Sequence, residues 1–94
     1  MMEEDDEAYE TLMAARLLLV ERLIDANSHR LALESRRAGL ELELGAPGAD
    51  KVHALHQARL IEVRQALDKL ETEQARLKEE LQAVVERLDG AALS

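Results

Sequence analysis

His53 and His56 stand three residues apart, a spacing that sets both imidazoles on one face of a helix, where such pairs can hold a divalent cation. A zinc site needs at least a third protein ligand, and the chain has no cysteine to supply one. His29 is expected some distance away along the other half of the chain. Both helical histidines also continue an apolar heptad backward toward a turn, so they are expected as partly buried contact positions and no metal is expected. Three carboxylates, Glu41, Glu43 and Asp50, gather around that turn and give it a mildly acidic tip. No glycine-rich phosphate loop or converging Ser/His/Asp group accompanies them, so no catalytic or cofactor-binding residue is assigned, no cofactor is expected, and the chain is expected to be non-enzymatic.

The elements that must carry these residues follow from composition. Ninety-four residues allow one small domain, and with no Phe, no Trp and a single tyrosine, Tyr9, a round aromatic-filled core is not expected. Charged residues make up 34% of the chain and leucine and alanine dominate the rest, the usage of long helices and coiled coils. A net charge of −8 argues against binding to phosphate backbones, which normally demands a basic footprint. Much of that charge is local, since Glu3, Glu4, Asp5, Asp6, Glu7 and Glu10 form an acidic run with no base among them. The longest run of bulky apolar residues, Leu17 to Val20, is far too short to span a bilayer, and an acidic start is the reverse of a signal peptide's basic one. A cytoplasmic location is therefore the default expectation, with no direct nucleic-acid contact, no membrane span and no small-molecule substrate.

Punctuation divides the chain into two helices. Residues 1–6 read as a flexible acidic end, and helix 1 is expected over 7–44, where carboxylates face the partial positive charge of a helix start. Gly45-Ala46-Pro47-Gly48 ends it, because proline lacks the amide donor and glycine tolerates positive φ. The turn is expected over 45–50, with Asp50 as N-cap of helix 2 over 51–89, and 90–94 as a loose end after Asp89-Gly90. The fold class is thus all-α, an antiparallel two-helix hairpin of coiled-coil type.

Helix 2 holds one strict heptad: Leu60, Val63, Leu67, Leu70, Gln74, Leu77, Leu81, Val84 and Leu88. Helix 1 holds two. Its first stripe is Met13, Leu17, Val20, Ile24, Leu31 and Ala38. Folding the chain at Pro47 sets Leu31 opposite Val63, Ile24 opposite Leu70, Leu17 opposite Leu77, Met13 opposite Leu81 and Val20 opposite Gln74, so this stripe is expected to form the hairpin seam. Asn27 then falls opposite Leu67 as a polar seam residue that fixes register, in a stretch, Asp25 to His29, with poor helix propensity where a kink is open.

The second stripe is left over. Tyr9, Leu12, Arg16, Leu19, Leu23, Ala26, Arg30, Leu33, Arg37, Leu40 and Leu44 are expected to face another molecule, extended by Val52, Leu55 and Ile61 near the turn and Val85 near the end. Two copies joined antiparallel through this stripe would form a homodimeric four-helix bundle, with Arg16, Arg30 and Arg37 reaching Glu21, Asp25 and Glu34 of the other copy. The function expected is a small interaction module, an adaptor, dimerisation or assembly subunit, whose partners are itself and another protein. A dedicated chaperone, for example of secretion type, masking a partner helix is the alternative on the same stripe. With its acidic tip at Glu41, Glu43 and Asp50, the expected hairpin is similar in architecture to bacterial transcript-cleavage factors, without their tip sequence or second domain. That likeness implies a regulator that enters an RNA polymerase channel.

Overall fold

The computed structural model describes the backbone of residues 2–48, 50 and 52–93 and the side chains of residues 8–48, 50 and 52–91. Two long α-helices in contact with each other form an all-α hairpin, and no strand occurs among the described residues. Helix α1 is Met2–Leu44 and helix α2 is His53–Leu93. Both are rich in Leu, Ala, Glu and Arg, residues that lose little side-chain freedom in a helix.

Helix α1 ends with tightening hydrogen bonds: the Gly45 amide donates to the Glu41 carbonyl and the Ala46 amide to the Glu43 carbonyl, each at 3.2 Å. Pro47 offers no amide to continue the ladder, and Gly48 turns the chain with φ of 83°, a conformation in which a Cβ would crowd the backbone. The His56 amide then donates to the Val52 carbonyl at 2.9 Å as α2 begins.

The bounds differ from the sequence expectation at three points. Helix α1 starts at Met2 and takes in the acidic stretch expected to be flexible. Helix α2 starts at His53, two residues later than expected, and runs through Asp89 and Gly90 to Leu93. One glycine costs a helix only about 1 kcal/mol, and the alanines and leucine after it favour continuation. Met1 and Ser94 lie outside the described residues. At Asn27 and Ser28 the helix is unbroken.

The chain divides into two compact units, Met1–Asp25 with Gln74–Ser94, and Ala26–Glu73. In the unit that holds the turn, Leu40, Leu60, Val63 and Leu67 form a buried cluster, with Leu33 and Leu44 packed against it. Ala26 and Leu70 are buried there as well. The other unit buries Leu19, Gln74, Leu77 and Leu88, and Leu77 is the most enclosed of these at 1% exposure. Leu12, Leu23, Leu81, Val84 and Val85 are half-buried in it.

The stripes of α1 hold the reverse of their expected roles. Met13, Leu17, Ile24 and Leu31, assigned from the sequence to the seam, are exposed, and Val20 is half-buried. Leu19, Ala26 and Leu40, assigned to an intermolecular face, are buried within the chain, and Leu12, Leu23, Arg30, Leu33, Arg37 and Leu44 of the same set are half-buried. Only Tyr9 and Arg16 of that set are exposed. Asn27, expected opposite Leu67, is exposed. The physical reason is that two stripes with the same spacing fit one heptad equally well once α2 is allowed to slide. With α2 starting only at His53 the turn is longer, and Leu40 and Leu33 come to the Leu60, Val63 and Leu67 cluster where the shorter turn would have brought Leu31.

Candidate interaction surface

Burial of the Leu12 to Leu44 stripe leaves the other stripe of α1 to solvent. In the first unit, Leu17 and Ile24 are each 60% exposed, and Met13, Tyr9 and Leu18 lie open beside them. Met13, Ala14, Arg16, Leu17 and Val20 line a shallow concavity of about 500 Å³ on this helix. In the unit that holds the turn, Leu31 and Leu42 are exposed, the latter 77%. Leu42 follows Leu31 by three helical turns through Ala38, so it extends the same stripe beyond the point where the sequence reading ended it. Leu18 was missed because it belongs to neither stripe. Val52, Leu55 and Ile61, anticipated as apolar surface near the turn, are exposed in this unit.

Polar contacts in the turn-bearing unit join the helices in register. His56 places Nε2 at 3.0 Å from Glu43 Oε2, and Arg64 donates from Nη2 to Glu41 Oε1 at 3.4 Å. Glu41 also meets Arg37 Nε at 4.0 Å on its own helix. These carboxylates, expected as a free acidic tip, are thus engaged by bases of the same chain, while Asp50 is exposed. The His56 imidazole is mostly buried, and its Nδ1 has no hydrogen-bond partner. His53, expected from the sequence to be partly buried like His56, is exposed because α2 has only just begun there, and His29 is exposed too; among the described residues no three His, Cys, Asp or Glu side chains are placed to hold a metal ion together.

Arg30 and Arg37 of the buried stripe likewise find partners on their own helix. Arg30 donates from Nη2 to Asn27 Oδ1 at 2.7 Å, and its buried Nε lies 3.9 Å from Glu34 Oε1 on its own helix, an ion-pair contact too long for a hydrogen bond. The acids assigned to it from a second copy are not needed for this pairing. Arginine stems that cover apolar surface while the heads bend to neighbouring carboxylates explain why Arg30 and Arg37 can sit beside a leucine seam.

No helix among the described residues is long and apolar enough to cross a membrane. No protein-family model matches the sequence, and no curated protein or solved structure is significantly similar to it.

Proposed function

We propose that the chain is a small non-enzymatic protein–protein interaction module whose contact surface is the exposed apolar face of α1 formed by Met13, Leu17 and Ile24. The observation that supports it is the exposure of Leu17 and Ile24, large aliphatic side chains at regular helical spacing that the hairpin leaves uncovered. Burying a leucine or isoleucine contributes roughly 1.5–3 kcal/mol, and soluble monomers rarely leave an ordered row of them open. A second copy of the chain is the first partner proposed, giving a four-helix bundle through this face in place of the one expected from the sequence. A helix from another protein would use the same anchors, which is how an adaptor, an assembly subunit or a chaperone would act. The net charge of −8 supports a protein partner over nucleic acid.

The test is the double substitution Leu17→Glu with Ile24→Glu, followed by sedimentation equilibrium and far-ultraviolet circular dichroism. Self-association by the parent chain that disappears in the variant, with helicity unchanged, is the expected result. A parent that stays monomeric over a wide concentration range removes the second copy as partner and leaves the face to another protein. Undiminished association in the variant would show that the face is wrongly assigned.

A further inference from the structure

We propose that the exposed row of α1 is a two-fold contact with an antiparallel second copy, Met13 of each chain lying against Ile24 of the other and Leu17 against Val20. This rests on the self-association proposed above for the same face and adds its direction and register. Met13, Leu17, Val20 and Ile24 follow one another in steps of four, three and four, so the row is the same from either end. Two such rows laid in opposite directions bring all four positions into apolar layers about an axis between Leu18 and Leu19. Every residue of the row lies in the unit that excludes the turn. The concavity on this helix supplies the receiving half of the contact. Met13, Arg16, Leu17 and Val20 stand at i, i+3, i+4 and i+7, the four corners of a hole into which a facing helix inserts one side chain. In the antiparallel register that side chain is Val20 of the second copy, and the two-fold gives each chain the same hole and the same insert.

Charge decides the direction. Glu10 is the next member of the row, three positions before Met13, and is exposed; Glu3, Glu4, Asp5, Asp6 and Glu7 precede it with no base among them. A parallel copy sets Glu10 against Glu10 and brings the two acidic runs side by side, and like charges so placed oppose association. It gains in exchange only Arg16 with Glu21 on either side, exposed residues whose ion pairs contribute little. The antiparallel copy keeps the acidic runs at opposite ends of the contact. Along its flank Glu21 of one chain falls beside Ala14 of the other, so no carboxylate is opposed by a second one there.

The test uses the absence of native cysteine. Two single variants, Met13→Cys and an affinity-tagged Ile24→Cys, both at exposed positions, are mixed in equal amounts and equilibrated in a glutathione redox buffer. In the proposed register Met13 and Ile24 are opposed, whereas two copies of either residue lie eleven positions apart along the helix pair. That offset is about 16 Å, well beyond the ~7 Å between Cα atoms that a disulfide tolerates. The mixed disulfide should therefore exceed the two same-site disulfides together by about tenfold. Predominant same-site disulfides, a chance distribution of the three products, or no disulfide from chains that sediment as dimers would each overturn the direction and register. In those cases a dimer that Leu17→Glu with Ile24→Glu dissolves would still support self-association through this face. A parent chain that sediments only as a monomer would overturn both.

Discussion

Leucine is the commonest apolar side chain in this protein, and its consequences depend wholly on which side of a helix it occupies. Leu77 is almost fully enclosed, so Leu77→Ala should cost roughly 2–5 kcal/mol in a urea melt. Leu17→Ala, at a position 60% exposed, should change stability by less than about 0.5 kcal/mol. Leu19→Glu buries a carboxylate in the seam and should unfold the hairpin rather than free a monomer. A stable, fully helical Leu19→Glu chain would contradict the burial described for that residue. These comparisons measure what spacing alone could not rank. Helix α2 carries one apolar stripe with no rival, whereas α1 carries two of like spacing, and contacts such as Glu43 with His56 that accompany the observed pairing leave no periodic trace in the sequence.

At the level of elements, helix formation was legible because breakers are so few and so grouped. Gly45, Pro47 and Gly48 mark the one turn, and the pattern of two apolar helices joined by a short connection specifies a hairpin. The start of α2 was less legible, since Asp50 is a good cap by type yet α2 begins at His53. Two glycines should respond in opposite directions. Gly48→Ala places a Cβ at a φ of 83° and should destabilise by roughly 1–2 kcal/mol. Gly39→Ala lies inside α1 with no atom near the new methyl group, so it should stabilise by about 0.8–1.0 kcal/mol. Thermal melts of both single variants followed at 222 nm check the pair, and a shift in the same direction for both would refute this account of the turn.

For the molecule as a whole, composition excluded more than it assigned. Without Phe or Trp the interior is built from aliphatic side chains, and an acidic balance leaves little to attract a polyanion. What was not legible was the outward face, because the same stripe reads as core or as contact surface until the turn is known. The division into units has a consequence in time. Ala26–Glu73 is one unbroken stretch of chain closed by its own turn, whereas the other unit joins two stretches far apart in the sequence. Closing a short loop is entropically cheaper and faster than closing a long one, so the contiguous stretch should zip up first, and the unit built from two distant stretches should follow and be the first to open. Native-state hydrogen exchange should therefore find the amides around Leu60 to Leu67 protected longer than those around Leu81 to Leu88. The reverse order would mean that the ends hold the chain together. Slow release around the turn and quicker release in the other unit would give a protease its first purchase in the paired stretches on either side of Leu19 and Leu77.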